Sequence, residues 1–461
     1  MEASTIIKGV SGLKVEELVS LLQKQGVRLV EFIYVDYTGI ARGKTIFLEQ
    51  LASRLVDGMG ITRAMPASTM RDEIVEIAGF DAIGEFRLVP DLSSVRVLPQ
   101  TPWVATVMCD YHTQDGQPLD FDGRVVLQKQ IQVLAKLGLT AKMSYENEFS
   151  LYRRDEAQKL VPDRPRICFS TESMEDAYEF LPDLIDALER VGIEPLAYYP
   201  EAGAGQHELP VKPKDALEAA DDLIRFKRIV KSVVKKHGLY ATFAPKPNLD
   251  QAGNGAHLHV SLWNEAGENV LYDADDELNL SQLGYFFVGG ILKHSAALLA
   301  FSCASLNSYE RLKPSHWSSA YAAFGKDNRE ACVRIPSTFA SNRAQSLNIE
   351  LKASDACANP YLACSALLAA GLDGIKKQIM PTQLLNCDPA LLSSSKRAAL
   401  DVTRLPENFA AALAALEKDE LFKEMLGPVG LAMYLKVKRQ DLAFFADKTP
   451  TQIAQYYRDL Y

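Results

Sequence analysis

The chain has 461 residues, 48% of them hydrophobic and 24% charged, enough apolar material for a substantial core and more than one domain. Its 59 acidic residues outnumber 50 basic ones, for a formal net charge of −9, which excludes a sequence-independent grip on nucleic acid or anionic lipid as the main activity. Seven cysteines, odd in number and without a CxxC pair, exclude a disulfide framework and a thiolate zinc site in favour of reduced, mostly buried thiols.

The start, MEASTIIKGVSGLKVEEL, lacks the charge and apolar pattern of a secretory signal. No run approaches the roughly 20 apolar residues of a membrane span, so a cytoplasmic protein without membrane contact is expected. An amphipathic helix is expected around Val15 to Gln25, and RLVEFIYVDYTGIARGKTI then reads as a hairpin broken at Thr38-Gly39. Three prolines in VPDLSSVRVLPQTPW mark a domain join. It divides a small unit, residues 1–105, from a larger one, 106–461. Beyond it strands and helices mix without βαβ alternation or internal repeat, which makes the fold class α+β.

SYENEFSLY, Ser144 to Tyr152, reads as a strand that projects Glu146 and Glu148 from one face. Such a pair repels itself unless a cation lies beside it, although exposed strands often carry ExE. PEAGAGQHELP places Glu201 and Glu208 around a glycine-rich turn. RFKRIVKSVVKKHG is the most basic stretch, but Leu223, Phe226, Val230, Val233 and Val234 keep helical spacing. A solvated amphipathic helix is expected there, led by Asp221 and Asp222 and ended by Gly238. In NGAHLHVSL, His257 and His259 share a strand face, a pattern that alone is more often a satisfied pair than a ligand set. Together, four glutamates and two histidines in glycine-bounded strands suit a hard divalent cation such as magnesium or manganese.

Neither GxxxxGK[ST] nor GxGxxG is complete, so a nucleotide would be held through metal and cationic side chains. Arg311, Arg329 and Arg334, in ERLKPSHW and DNREACVRIP, could meet carboxylate or phosphate oxygens in bidentate fashion, or serve ordinary surface ion pairs. ENFAAALAALEKDELFKEML and the stretch to Tyr461 are helical in pattern.

The succession ExE, E-x6-E around GxGQHE, GxGxHxH followed by SL, NSYxRLxP, NRxxxxRIP, IExK and NPYLA resembles the type I glutamine synthetase superfamily along essentially the whole chain. The resemblance implies a glutamine synthetase-like fold with a β-grasp-like N-terminal domain and a larger catalytic domain with a curved antiparallel sheet and helices. It also implies a homo-oligomer, commonly a dodecamer, with active sites between subunits. The implied reaction is ATP-dependent amide formation on the γ-carboxylate of glutamate, with ATP as cosubstrate and two or three Mg2+ or Mn2+ ions per site. Carried over, Glu148, Glu201 and Glu208 match ligands of the metal nearer glutamate, and Glu146, His257 and Glu350 those of the metal on the ATP phosphates. His259 and Ser261 match nucleotide contacts, Arg329 and Arg334 the cations on the transferring phosphoryl group, and Gly253, Arg311 and Lys352 the glutamate side. Asp36 matches an aspartate that a neighbouring subunit lends to the ammonium pocket.

Two departures bear on the substrate. Where the pattern RLxPxxE places a glutamate that holds ammonium, this chain has Trp317, whose indole offers surface to something larger. With VDYTGIARGK, this resembles the branch that glutamylates organic amines in amine catabolism or detoxification; Met59, Met65 and Met70, with Trp317, point toward an apolar or aromatic amine, although such side chains are usually core. Asn348 and Lys352 stand where arginines are usual, and lysine keeps the charge but loses the fork. A synthetase using ammonia, and a synthetase-like protein without turnover, are the alternatives. No tyrosine lies between Leu372 and Pro406, so control by adenylylation is not expected.

Overall fold

The computed structural model describes residues 14–164 and 167–461. The expected first helix is Val15–Lys24, with Leu18 and Leu22 buried. The expected hairpin pairs Leu29–Val35 with Ala41–Phe47 in antiparallel register. Its turn needs Gly39, which has φ +82° and lies so near Ala358 and Cys357 that a Cβ would meet the Cys357 carbonyl oxygen at 2.4 Å.

The small sheet has six strands: Ala41–Phe47, Leu29–Val35, Val104–His112, Glu85–Pro90 and Met59–Thr62 in spatial order, with Arg96–Val97 also on Val104–His112. The expected join at 105/106 falls inside strand Val104–His112. That strand is hydrogen-bonded to Leu29–Val35, so the small sheet continues to His112. We place the division between that strand and helix Gly123–Ala135.

The large sheet has eleven strands and is built around Leu139–Arg154, 16 residues long, which is flanked by Gln206–Pro210 and Ala256–Asn264. Beyond the latter come Ile349–Leu351, Ala331–Ile335 and Tyr321–Lys326. These pairings are antiparallel, as expected of the larger sheet, with Tyr321–Lys326 and Ala331–Ile335 the one parallel pair among them.

Helices cover the sheet, and two corrections concern them. Gln282–Ser302 is long and apolar enough to cross a membrane by length and composition, contrary to the sequence reading. Most of it is buried instead against helix Pro360–Lys377, with Gly290 and Gly374 in backbone contact. The basic stretch forms the expected helix, Ala216–Lys236, with Gly238 following at φ +73°. Its polar side is not wholly solvated, because Asp221, Asp222 and Arg225 are buried. Arg225 pairs with Asp222 at 2.8 Å, and Arg124 meets Asp221, Asp110 and Asp91 at 3.1, 2.9 and 2.6 Å. Such buried charges are tolerated because each is paired and hydrogen-bonded. The alanine-rich pattern near the C-terminus is helix Phe409–Leu416 and the start of Glu420–Phe444, divided where Asp419 caps the latter, which is itself broken at Gly427, φ +67°, before Pro428. All seven cysteines are free, and five are buried.

Candidate active site

Strand register gathers the site. Glu148 stands opposite Glu208, Glu146 opposite His257, His259 opposite Glu350, and Glu350 opposite Arg334. Directly opposed side chains on one face lie about 5 Å apart at Cβ, so five neighbouring strands converge on one patch. The turn before Gln206–Pro210 adds Glu201, whose N–H donates to the Gln206 carbonyl. Glu146, Glu148, Glu201, Glu208 and His257 floor a cleft of about 820 Å3 that also receives Arg311, Arg329, Arg334, Lys352 and Trp317.

The electrostatics divide the patch in two. At one end carboxylates crowd together. Burial, then the charges of Glu148, Glu146 and Glu201, push Glu208 up to about 10, and burial pushes Glu148 up to about 7. Glu201 is raised as well, chiefly by burial. Such carboxylates hold a proton in the metal-free protein and surrender it to a cation. At the other end burial would raise Glu350, but Lys352, His259, His257 and Arg334 bring it below the usual carboxylate range. Arg334 Nε lies 2.5 Å from Glu350 Oε2 in an ion contact not aligned as a hydrogen bond, so neither Glu350 oxygen has a hydrogen-bond donor.

The two histidines differ. Arg311 Nη2–H donates to His257 Nε2 at 3.0 Å, and His257 Nδ1 faces Glu146 Oε2 at 3.1 Å. Burial, reinforced by Lys352, lowers the His257 imidazole to about 4, so it is neutral at pH 7. His259 Nδ1 bonds Asn348 Oδ1 at 2.8 Å. Asn348 Nδ2 donates to the Ser346 carbonyl, which assigns the amide and makes His259 the donor through Nδ1–H. His259 Nε2 is then left 3.2 Å from Glu146 Oε1 without a hydrogen bond.

Glu146, His259 and Glu350 offer ligand atoms within 4.8 Å of one another, and His257 Nδ1 also lies 3.1 and 3.4 Å from Glu146 and Glu350. The two rings differ in what holds them: His257 Nε2 is engaged by Arg311, whereas Asn348 holds His259 Nδ1 and leaves Nε2 toward Glu146. Buried Glu350 oxygens without a hydrogen-bond donor, beside Glu146 and an imidazole nitrogen that also lacks a hydrogen-bond partner, fit a divalent cation.

Four expected residues do not line the cleft of their own chain: His259 and Glu350, which lie beside its Glu146 and Arg334, and Asp36 and Ser261. Asp36 is buried at the hairpin turn, where it accepts from Thr38 N–H, Thr38 Oγ1 and Ile40 N–H and pairs with Arg42 at 2.6 Å. Ser261 lies along the His259 strand and accepts the Trp263 indole N–H at 2.9 Å. Three contributors escaped the sequence reading. Gln206 donates to Glu148 Oε2 and to the Gly253 carbonyl and accepts Gly203 N–H, which locks the glycine turn. Gly255 lies so close that a Cβ would meet Arg311, His257 and Glu148. Lys246 lines the cleft from a loop without a motif. Gln206 and Gly255 had a signal, their places inside GxGQHE and NGAHLH.

Residues 120–457 match the family model described as glutamine synthetase, catalytic domain, and residues 10–123 the one described as glutamine synthetase N-terminal domain. The chain is 34% identical over 408 residues to a glutamine synthetase of Pyrococcus horikoshii, spanning 88% of this chain and 87% of that protein. It is 34% identical over 414 residues to gamma-glutamylpolyamine synthetase GlnA3 of Streptomyces coelicolor, spanning 88% of each. Among solved structures, a GmaS/ADP complex aligns with TM-score 0.83 and 30% identity over 94% of this chain and 97% of that one.

Proposed function

Because the chain belongs to the glutamine synthetase family of ATP-dependent ligases that form carbon–nitrogen bonds, we propose that it joins the γ-carboxylate of L-glutamate to an organic amine, giving a γ-glutamylamide. The observation that carries the choice of amine is Trp317 lining the cleft where the family pattern has a glutamate. The relatives named glutamine synthetase favour ammonia as the second reading, whereas the relative named for polyamines supports an organic acceptor.

A carboxylate is a poor electrophile, and its phosphorylation turns an oxygen into a leaving group. Phosphoryl transfer between two anions depends on positioning and charge neutralisation. Arg311, 5% exposed at the cleft floor and held by the Ser354 carbonyl and His257, is suited to the α-carboxylate of glutamate, beside the narrow backbone at Gly253. Arg329 and Arg334 face the transferring phosphoryl group, and Lys352 assists on the glutamate side. Glu148, Glu201 and Glu208 would hold one divalent ion, Mg2+ or Mn2+, and Glu146, Glu350 and a histidine, His257 or His259, another. Bound, such ions would neutralise phosphate and carboxylate charge. Asp36, turned away from its own cleft, is assigned to the acceptor pocket of a neighbouring copy in a homo-oligomer, with a dodecamer as the proposed state. Amine catabolism or detoxification is the proposed role.

The test is ADP release with ATP, glutamate and Mg2+ or Mn2+ against ammonium, methylamine, isopropylamine, ethanolamine, putrescine and aniline. One organic amine far above ammonium is expected, and ammonium as the best acceptor would return the protein to glutamine synthesis. Trp317→Glu should move the preference toward ammonium by about tenfold, since it restores a charge for a small cation; an unchanged amine profile would take the indole out of the acceptor pocket. A further expectation concerns protons. Glu208 and Glu148 are protonated or half-protonated at pH 7 without metal, and binding must expel those protons, so Mn2+ affinity should rise from pH 6 to 9. Titration calorimetry in buffers of different ionisation enthalpy measures the release, and a pH-independent affinity with no release would refute it.

A further inference from the structure

We propose that Phe169, Tyr199 and Trp317 form an aromatic lip that receives the apolar substituent of the acceptor, so that the cleft selects alkyl and aryl monoamines over diamines and polyamines. This rests on the organic-amine reading above and narrows it. Phe169 is 57% exposed and Trp317 69%, and both line the cleft together with Tyr199. Phe169 and Tyr199 meet edge to face at 5.8 Å, and Phe169 N–H donates to the carbonyl of Pro200, next to Tyr199. Tyr199 in turn stands opposite Glu208 in the sheet, which sets the rings beside the carboxylate patch. Exposed aromatics gathered at one cleft mark a place for an apolar partner.

The exposure of Trp317 is built into the loop. Trp317 has φ +55°, and Ser315 and Ser319, on either side, have +56° and +69°; Phe169 has +59°. Bulky residues seldom adopt such values, and strain of this kind collects at functional sites when the surroundings fix it. Here they do. Trp317 N–H donates to Glu330 at 2.6 Å, Ser319 Oγ to the Ala331 carbonyl at 2.9 Å, and Ser315 Oγ to Asp388 at 2.7 Å.

Charge decides between one amine and two. Among the described residues, the cleft's only carboxylates are Glu146, Glu148, Glu201 and Glu208, which belong to the cation site. Its other charged groups are Lys246, Arg311, Arg329, Arg334 and Lys352. Glu330 is turned to Trp317 N–H and does not line the cleft. Within one chain a distal ammonium would face five cations and no spare carboxylate, and the Asp36 assigned from a neighbouring copy serves the reacting amine, whereas an alkyl or aryl group would face three rings.

Butylamine and putrescine share a four-carbon skeleton and differ by the distal ammonium, so their comparison isolates the claim. Initial rates of ADP release with ethylamine, butylamine, benzylamine, putrescine and spermidine are compared in the unaltered protein, Phe169→Ala, Phe169→Leu and Trp317→Ala. In the unaltered protein kcat/KM should rise about twofold per methylene on a half-open lip, and butylamine should exceed putrescine by about tenfold. Phe169→Ala and Trp317→Ala should flatten the rise through KM, and Phe169→Leu should restore part of it. Putrescine or spermidine matching butylamine overturns the proposal without needing any variant to fold. So does an unchanged slope in both alanine variants, or a change in sedimentation with an unaltered amine profile, which would place the rings against a second copy. Ammonium above every organic amine, or silence across the series, sinks the organic-amine reading as well; an organic preference without the slope sinks the lip alone.

Discussion

Glu208→Ala should lower ligase turnover by about 10^3-fold or more, while the metal-free protein keeps or slightly gains stability. Both halves follow from its surroundings. Glu208 stands opposite Glu148 on the neighbouring strand, and burial together with the charges of Glu148, Glu146 and Glu201 keeps its proton on up to about pH 10. Ionised without a cation it is a liability to the fold, and removing it relieves repulsion. The same crowding makes it a strong ligand. The informative measurement pairs ADP release with thermal unfolding in the presence and absence of Mn2+. The unaltered protein should show a metal-dependent rise in melting temperature that the variant loses. Near-normal turnover, or an intact metal-dependent rise, would remove Glu208 from the metal site.

Glu350→Ala should abolish activity too, but with the opposite effect on stability. Glu350 has no exposed surface and lies within ion-pair reach of the Arg334 and Lys352 cations, at 2.5 and 3.7 Å, with the His257 and His259 rings at 3.4 and 4.0 Å. Its removal leaves buried cations without their counter-charge, which costs about 3–5 kcal/mol when one partner of a buried pair is lost. The chemical-denaturation midpoint should fall accordingly, and Glu350→Gln, which keeps the shape and drops the charge, should fall nearly as far. Because these cations depress the Glu350 pKa, its stabilisation is present above the unfolded carboxylate value of about 4.3 and is lost as pH falls through the folded one. The stability gap between Glu350→Gln and the unaltered protein should therefore narrow in acid. Equal stability of the variant and the unaltered protein at pH 7 would show that the cluster does not depend on this charge.

The contrast between two glutamates of one site is invisible in the sequence. PEAGAGQHELP and LNIELK each present a carboxylate on a short strand, and nothing local tells which will lie among anions and which among cations. Register decides it, by setting Glu208 opposite Glu148 and Glu350 opposite Arg334, residues 60 and 16 positions away in the chain. The histidines teach the same lesson. HxH announced two imidazoles on one face, but which nitrogen each leaves toward Glu146 depends on Arg311 and Asn348, brought in from other segments.

The sequence by itself determined the α+β class, the hairpin at Thr38-Gly39, the glycine-bounded strands with their alternating carboxylates and imidazoles, and the ordered motifs by which the family is known. Those features are local: a two-residue period, a turn glycine or a fixed spacing is complete within a few residues. Only the tertiary structure decided that Asp221, Asp222 and Arg225 are buried, that the apolar helix Gln282–Ser302 is a core helix, that strand Val104–His112 belongs to the small sheet, and that Phe169 and Tyr199 join Trp317 at one cleft. Burial, charge balance and shared surfaces are sums over neighbours far apart in the chain, and the chain must fold before those neighbours exist.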